Sequence, residues 1–461
     1  MSFPGEQDEG WAGTWHGISM VFEIKRTRGE DPIDEYGVRY GKQATDALTQ
    51  LAKSARNLLS THGMLFVYVV GIYGDTARIY RFDHAACVVS RSFDFKETPW
   101  PLHELLWRFC YYQGPRGGAR VAGAPPTNML IGADPSFQRA TDDDLRLAEE
   151  KCTEMGTESL TLTDKQACRW ITVTRHSEDG TEVGTTRYLA YRIRSLNARL
   201  FSRATAVWDA LEEGTWERCV IKDSWRQLEH DREDVLYDRI RGSPDRPPVY
   251  GHRTICGQLR DPKNANYYER SHMRVIMKTV GRPLSSFKST KELVHALRDA
   301  IIGHRQAYHA GIIHRDISEG NVMICDTRIS SFAGFLLDFD YGFDWKTALK
   351  QVGWPADEAS WRMFVEKYNE SLPCIRRHAP PKQTIPVLGS HSADTSKLET
   401  KMKQRTGTLD SMAIEILETY CAHDIRHDLE SFLWLYFFGT QEGWDSAARK
   451  RQFLQTWTAF E

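Results

Sequence analysis

Three polar side chains interrupt an apolar run in the segment GIIHRDISEGNVMI, residues 311–324. These are His314, Arg315 and Asp316, and Asn321 opens the next apolar run. The pattern indicates either a polar turn between two elements or a loop that carries out chemistry. Phosphoryl transfer would use such a loop, because the reaction needs a carboxylate that accepts the proton of the attacking hydroxyl and hard oxygen ligands for a metal ion.

A second acid and a cation extend this hypothesis. The segment FAGFLLDF is predicted to be a short strand that ends at Asp338, and the strand RCVIK ends at Lys222. We expect Asp316 to be the catalytic base, and Asn321 and Asp338 to be ligands of Mg²⁺. Lys222 is expected to hold nucleotide phosphates. An acid on the next helix, Glu233, is expected to pair with this lysine.

Two predicted helices would position these side chains. The segment STKELVHALRDAIIGHRQAYHAG has a predicted capping box of Ser289 with Glu292, and Gly311 supplies a stop. A long helix is therefore expected to lead directly into the polar loop. A second predicted capping box, Ser224 with Gln227, indicates that another helix begins directly after the strand RCVIK.

The order of strand and helix patterns divides the chain into four regions. Residues 1–112 alternate between the two patterns and are expected to form a small α/β domain. Residues 113–160 begin with a stretch rich in Gly and Pro and are expected to be a linker or a long loop. Residues 161–280 are rich in strands and residues 281–461 are mainly helical. This order predicts an α+β fold with two lobes and a site in the cleft between them.

Composition narrows the class of protein. The chain of 461 residues is 41% hydrophobic and 26% charged, which is typical of a soluble globular protein. Its formal net charge of −2 gives no general attraction to nucleic acid or to an anionic membrane, so neither is an expected partner. The cysteines form no CxxC pair, which fits a reducing intracellular compartment, either cytoplasmic or nuclear. Composition leaves the oligomeric state open.

The order of several motifs resembles the fungal-type protein kinase family, within the eukaryotic protein-kinase-like superfamily. The motifs are VIK, HRDISEGN, LLDFDYG, RTGTLDSMAIEIL and HDLESFLWLYFF. The resemblance implies a protein-kinase-like fold, with a β-rich N-lobe and hinge over residues 161–280 and a shortened helical C-lobe over residues 281–461. It also implies a long activation segment, residues 342–406. The small α/β domain would precede the kinase part.

The resemblance implies a role for each matching residue. Asp316, Lys222, Asn321 and Arg315 would be catalytic, and Arg315 would contact the activation segment. Glu415 would stand where the family has a structural glutamate, and Asp428 would begin a buried central helix. The residues that would bind ATP are Lys222, Glu233, Arg203, Ala204, Thr205, Met277 and Thr279.

Two positions depart from the pattern. A kinase covers the nucleotide phosphates with a glycine-rich loop, because only a backbone without Cβ approaches them closely. The corresponding segment here is Ser202-Arg203-Ala204-Thr205, which contains no glycine. The motif after the second predicted strand is Asp338-Phe339-Asp340, so a carboxylate replaces the usual final glycine.

The sequence therefore predicts an ATP- and Mg²⁺-dependent protein kinase that phosphorylates a hydroxyl of serine or threonine on a protein substrate. The lost glycines favour one alternative, a pseudokinase with little turnover. A second alternative is a small-molecule phosphotransferase, which has the same spacing in its catalytic loop, although Arg315 argues against it. A metal-dependent nuclease is a weaker alternative. It rests on Glu23 and Lys25 at the end of one strand, for which only Asp8 is available as an upstream acid.

Overall fold

The computed structural model describes residues 15, 18–110, 131–176, 182–228, 230–241, 252–253, 269–325, 331–371, 407–419 and 421–440. Contacts divide the chain into two compact units. The first unit comprises Met1–Leu228 and Pro247–Lys278, and the second comprises Glu229–Arg246 and Thr279–Glu461. Within the described ranges, no helix has both the length and the apolar character needed to cross a membrane.

The first unit has mixed α/β content. Its helices are α1 Lys42–His62, α2 Trp100–Cys110, α3 Asp142–Glu154 and α4 Leu162–Ala167. Its strands are β1 Val21–Lys25, β2 Ile33–Asp34, β3 Gly37–Val38, β4 Val67–Tyr73, β5 Thr76–Phe82, β6 Cys87–Val89, β7 Phe93–Asp94, β8 Phe137–Arg139, β9 Arg169–His176, β10 Glu182–Leu196, β11 Ala206–Glu212, β12 Arg218–Gln227, β13 His252–Arg253 and β14 Arg270–Met277.

A small sheet in the order β1-β4-β5-β6, with β7 also paired to β5, packs against α1. The segment MLFVYVVGIYGDTARIYRF predicts a hairpin at Gly74-Asp75, and β4 and β5 confirm it, with Gly74 in the left-handed region at φ 62°. The segment YGKQATDALTQLAKSARNLLSTHG predicts a helix that closes at Gly63, and α1 confirms it. On β1, the Lys25 ammonium lies 2.8 Å from the Glu23 carboxylate, so these two charges are paired with each other.

A seven-stranded sheet follows in the order β13-β14-β12-β11-β10-β9-β8. Lys222 lies on β12, opposite Val207 of β11 and Val275 of β14. The glycine-free segment that begins at Ser202 lies in the connection between β10 and β11, which are neighbouring antiparallel strands. The sheet buries one face in a core that includes Ile221.

Two expectations for this unit are wrong. Ser224 and Gln227 do not cap a helix, because β12 continues through Gln227 and pairs with β14 from Val220 to Gln227. Residues 131–160, part of the predicted linker, contain β8 and α3. The helix has its own capping box, since Thr141 and Asp144 each accept the other's backbone N–H. The rest of the linker, residues 113–130, lies outside the described residues, and the domain boundaries stay predictions.

The second unit is mainly helical with two small sheets. Its helices are α5 Glu233–Arg241, α6 Thr290–Ala310, α7 Trp345–Gln351, α8 Glu358–Ser371, α9 Ile414–Glu418 and α10 Ile425–Thr440. Its strands are β15 Gly281–Pro283, β16 Ile312–Ile313, β17 Val322–Cys325, β18 Gly334–Leu336 and β19 Phe343–Asp344. The sheets have the orders β15-β17-β18 and β16-β19. The two-lobed arrangement and the shortened C-lobe stay predictions.

Helix α6 leads into the polar loop as the sequence predicts. The Ser289 hydroxyl accepts the Glu292 N–H at its start, and Gly311 ends it in the left-handed region at φ 103°. The Glu292 carboxylate, however, accepts the N–H of Lys288 instead of closing a capping box. The buried stripe of α6 includes Leu293, Leu297 and Ala300, and it packs against β17 and α10.

Candidate active site

A single buried carboxylate holds the backbone of the polar loop. Asp428, in the first turn of α10, accepts the N–H of His314 at 2.9 Å and the N–H of Arg315 at 3.0 Å. It also accepts hydrogen bonds from the rings of His304 at 2.8 Å and His423 at 3.0 Å. These bonds overcome the opposing effect of burial and hold the pKa of Asp428 well below its usual range. The aspartate is thus a buried anion that fixes the start of the loop.

The hydrogen bonds of His314 determine its tautomer. Its Nδ1 accepts the N–H of Asp316 at 3.2 Å, so the proton lies on Nε2, which donates to the Leu337 carbonyl at 3.0 Å. Burial lowers the pKa of this fully buried histidine, which is consistent with a neutral ring. His314 therefore ties the polar loop to the segment that carries Asp338 without adding a charge.

The carboxylate of Asp316 has a defined electrostatic environment. Burial raises its pKa, and the negative charge of Asp338 raises it further. Thr408 opposes this rise, because its N–H and its hydroxyl both donate to Oδ1 of Asp316, at 2.9 and 3.0 Å. An aspartate with a raised pKa is a stronger proton acceptor than an exposed one, which suits a general base.

Asn321 lies beside this base. Its side-chain Nδ2 donates to the backbone carbonyl of Asp316 at 2.8 Å, which orients the amide and leaves its carbonyl oxygen Oδ1 for a ligand. The backbone carbonyl of Asn321 accepts the N–H of Leu337 at 2.9 Å. This bond joins the end of the loop to the residue before Asp338. The structure therefore brings Asp316, Asn321 and Asp338 together as the sequence predicts.

Three carboxylates cluster at the Asp338-Phe339-Asp340 motif. Oxygens of Glu233, Asp338 and Asp340 all lie within 4.8 Å of one another. Glu233 is fully buried, and its Oε1 accepts the N–H of Phe339 at 3.1 Å. Such a cluster of hard oxygen donors fits a divalent cation, because Mg²⁺ prefers carboxylate and carbonyl oxygens.

Two residues of the site have strained backbone. Arg315 and Asp338 have φ values of 68° and 67°, a region that non-glycine residues enter at a cost of about 1–3 kcal/mol. The Asp338 N–H donates to the Tyr237 hydroxyl at 3.0 Å, and the Arg315 N–H is held by Asp428. Strain that surrounding contacts maintain is frequent at functional sites, where it directs a side chain.

Arg315 and Glu415 each contact side chains of neighbouring elements. The Arg315 guanidinium lies 5.7 Å from the ring of Phe343, at the start of the predicted activation segment. Residues 372–406 of that segment lie outside the described residues. Glu415 lies 2.9 Å from the Arg426 guanidinium and accepts a hydrogen bond from His427 at 3.0 Å. These contacts tie the start of α9 to α10.

The segment at residues 407–411 belongs to the motif RTGTLDSMAIEIL, in which the sequence leaves Thr408 open as a substrate-pocket position, a phosphorylation position or an ordinary loop residue. Besides the two bonds of Thr408, the Ser411 hydroxyl donates to the Ile317 carbonyl at 2.7 Å. Gly407, at φ 112°, lies so close to the loop that a Cβ there would be 2.8 Å from the Arg315 carbonyl oxygen. The contact with Asp316 was not predicted, and its sequence signal is the Thr-Gly-Thr stretch, in which the glycine permits the close approach.

The other predicted nucleotide-binding residues lie in the first unit, except Thr279. Lys222 is 3% exposed on β12, and Met277 ends β14. Thr279 is exposed and belongs to the second unit. Since Lys222 and Glu233 belong to different units, their ion pair stays a prediction.

The connection between β10 and β11 is anchored within the first unit. The His84 ring donates through Nδ1 to the Leu200 carbonyl at 3.0 Å, and the ring of Phe201 stacks on Phe82 at 6.5 Å. The Arg203 carbonyl accepts the Trp225 N–H at 2.7 Å. Ala204 has a φ of 42°, so an alanine adopts a backbone conformation that favours glycine. The role of Arg203, Ala204 and Thr205 in nucleotide binding stays a prediction.

A protein-family model described as fungal protein kinase matches residues 12–259, 241–354 and 388–439. The chain belongs to the fungal protein kinase family. No curated protein matches the chain. The family match includes the polar loop, Asp338 and the segment around Thr408. It leaves out residues 355–387, which include α8.

In this fungal protein kinase, α8 nevertheless belongs to a packed core. The rings of Trp345 on α7 and Trp361 on α8 have centroids 5.9 Å apart, and both tryptophans are fully buried. The Trp361 indole N–H donates to Asp424 at 2.8 Å, just before α10. The segment DEASWRMFVEKYNESL predicts a helix within the long activation segment, and α8 confirms it.

Proposed function

We propose that this fungal protein kinase is an active, ATP- and Mg²⁺-dependent enzyme that transfers the γ-phosphoryl group to a serine or threonine hydroxyl of a protein. The observation that carries the proposal is the arrangement of Asp316, Asn321 and Asp338 in one unit. A kinase needs these three side-chain types at the reacting groups, and each of the three side chains makes a hydrogen bond to a backbone group here.

Asp316 would act as the base. Its carboxylate would accept the proton of the substrate hydroxyl as the oxygen attacks phosphorus. Because Thr408 occupies Oδ1, the other oxygen, Oδ2, is the one we assign to the substrate hydroxyl. The raised pKa of Asp316 favours this proton transfer near neutral pH.

Asn321 and Asp338 would hold Mg²⁺, and the carboxylate cluster with Glu233 and Asp340 fits that charge. When bound with ATP, the ion supplies positive charge that neutralises the phosphate oxygens. Lys222 would hold the phosphates, and Arg203, Ala204, Thr205, Met277 and Thr279 would complete the nucleotide site.

The test is intact-mass analysis of the purified protein with Mg-ATP and a generic protein substrate such as casein. We expect phosphate to appear on the protein or the substrate with time, and to be absent with the Asp316→Asn variant and with EDTA. Phosphoamino-acid analysis of the product would then show phosphoserine or phosphothreonine. Failure of the wild-type protein to transfer phosphate to itself or to the substrate would reject the proposal.

A pseudokinase is the second candidate, and one observation favours it. The β10–β11 connection has no glycine and is fixed by the contacts of Leu200 with His84 and of Phe201 with Phe82, so it lacks the freedom of a glycine-rich loop. If Mg-ATP raises the melting temperature while no phosphate is transferred, this second candidate replaces the first.

A further inference from the structure

The first unit contains a cavity of about 240 Å³ that none of the predicted catalytic residues lines. Its walls come from the C-terminal end of α1, from α4, from β8 and β9, and from the connection between β10 and β11. Apolar side chains, including Phe137, Leu196, Leu200 and Trp208, form much of the surface. The volume lies below the roughly 300–1,000 Å³ that is typical of drug-sized ligands, so an occupant would be small.

The cavity lies on the face of the seven-stranded sheet opposite Lys222. Ala206 and Asp223 face each other across β11 and β12, and both line the cavity. Successive side chains of a strand point to opposite faces, so Lys222 points away from the cavity. The cavity therefore lies on the other face of the sheet from Lys222, although Ala204, one of the predicted nucleotide-binding residues, also lines it.

Arg169 is the main polar group of the cavity. Its guanidinium lies 5.1 Å from the ring of Phe137 and 5.0 Å from the ring of Trp208, and its Nε donates to the Ala167 carbonyl at 2.8 Å. Among the described residues, neither terminal nitrogen of Arg169 donates to an acceptor or pairs with an acid. Burial lowers the pKa of Arg169 to about 10, which indicates a cation whose charge is poorly compensated.

The packing around Arg169 leaves room for its guanidinium at the cavity wall. Gly63, at φ 62°, ends α1 beside the guanidinium, and a Cβ there would lie 2.8 Å from Nη1 of Arg169. It would also lie 2.5 Å from the ring of Phe137. A glycine at this point therefore leaves space for the guanidinium at the cavity wall.

The two acids that line the cavity already have partners. Asp134 and Asp223 both accept from Nη2 of Arg274, at 3.0 and 2.7 Å. The other oxygen of Asp134 accepts from Ser136, and the other oxygen of Asp223 bonds to His272.

Two more arginines, Arg56 and Arg199, contribute to the lining, and both are exposed. With Arg274 behind the acids, four guanidinium groups lie at or near the cavity against the two carboxylates of Asp134 and Asp223. The local charge is therefore positive and favours an anionic occupant.

We infer that this cavity binds a small molecule that has a carboxylate on an apolar chain, with the carboxylate on the guanidinium of Arg169. A planar guanidinium matches a carboxylate with two parallel hydrogen bonds, and the two terminal nitrogens of Arg169 supply the donors. The apolar chain would lie against Phe137, Trp208, Leu196 and Leu200. The inference does not depend on catalysis, because the cavity and Lys222 lie on opposite faces of the sheet.

The experiment measures binding of octanoate to the full-length protein by calorimetry, with octanol as the uncharged match of the same length. We expect octanoate to bind at least roughly tenfold more tightly than octanol, since hydrogen bonds to a charged group contribute more than neutral ones. Arg169→Gln should remove this preference. Arg146→Gln, at an exposed position of α3, is the matched control and should preserve it. Equal binding of both compounds, or no binding of octanoate, overturns the inference.

A second measurement keeps the test decisive if Arg169→Gln does not fold. Hydrogen exchange of the wild-type protein with and without octanoate should show slower exchange in residues 59–65 and 196–204, which form two walls of the cavity. In addition, Thr61→Trp places a large side chain at the wall and should weaken octanoate binding. Slower exchange only elsewhere, or octanoate binding that Thr61→Trp leaves unchanged, contradicts the inference.

Discussion

Thr408 donates two hydrogen bonds to one oxygen of Asp316, from its N–H at 2.9 Å and from its hydroxyl at 3.0 Å. Both bonds favour the ionised carboxylate and so oppose the effect of burial on its pKa. The pair joins the segment that begins at Gly407 to the loop that carries the proposed base. Thr408 is thus a positioning residue that also sets the pH at which the base is available.

Thr408→Ala should therefore change the pH dependence of phosphate transfer. Loss of the hydroxyl removes a bond that lowers the pKa of Asp316, so the pKa rises and the acidic limb of the kcat profile moves to higher pH. We expect kcat at neutral pH to fall by roughly tenfold, the effect of one hydrogen bond to a charged group. Thr408→Ser retains the hydroxyl and should stay close to wild type. An alanine variant with an unshifted acidic limb would contradict the assigned role.

Asp428→Asn should destabilise the second unit. Asp428 is fully buried and accepts four hydrogen bonds, two from backbone N–H groups and two from the rings of His304 and His423. An asparagine would direct an NH₂ group at donors, so some of these bonds would be lost. We expect the free energy of unfolding to fall by on the order of 3 kcal/mol, measured by urea denaturation.

Glu366→Gln, an exposed change on α8, is the control for this measurement and should leave the free energy of unfolding within about 0.5 kcal/mol of wild type. If Asp428→Asn unfolds at the wild-type urea concentration, Asp428 does not hold the loop in solution.

The sequence predicts much of the second unit because its signals are local. The Ser289 cap, the Gly311 stop and the spacing from Asp316 to Asn321 all lie within short segments, and the structure confirms them. The expectation that Asp428 begins a buried helix is wrong in detail, since Leu433 of α10 is 60% exposed. An apolar composition does not reveal which side of a helix has a neighbour.

Contacts between residues that are far apart in the chain could not be predicted from the sequence. Arg274 bonds to Asp134, 140 positions away, and nothing in either segment indicates the other. The extension of β12 through Ser224 was missed for the same reason. Its ladder with β14 outweighs a local capping pattern, because the strand buries Trp225 and each residue from Val220 to Gln227 pairs with β14.

Two glycines near α6 should respond in opposite ways to alanine. A Cβ at Gly334 would lie 2.5 Å from Cα of Ala296, and the helix backbone cannot yield without moving. Gly334→Ala should therefore lower the free energy of unfolding by about 1–3 kcal/mol. A Cβ at Gly303, within α6, would meet no atom within 4 Å, so Gly303→Ala should raise stability by about 0.5–1 kcal/mol. Urea denaturation of both variants checks the prediction, and shifts of the same sign would contradict the packing of β18 on α6.

His84 should make the first unit sensitive to acid. Burial lowers the pKa of His84 to about 4 in the folded protein, against about 6.5 for an unperturbed histidine. Between these two values the unfolded chain binds a proton that the folded chain does not. Stability is therefore fully present above about pH 6.5 and falls as the pH drops to about 4, by up to about 1.4 kcal/mol per pH unit from this group.

The measurement is the melting temperature of wild type and of His84→Asn between pH 7.5 and pH 4.5. Asparagine retains an N–H for the Leu200 carbonyl but does not titrate, so the variant should lose less stability as the pH falls. It starts below wild type at pH 7.5 because the contact of the His84 ring with the Trp225 ring is lost. The gap between the two proteins should therefore narrow with acid. Changing the exposed His103 to Asn should leave the wild-type slope unaltered. A constant gap across this pH range would show that His84 is not the group that titrates.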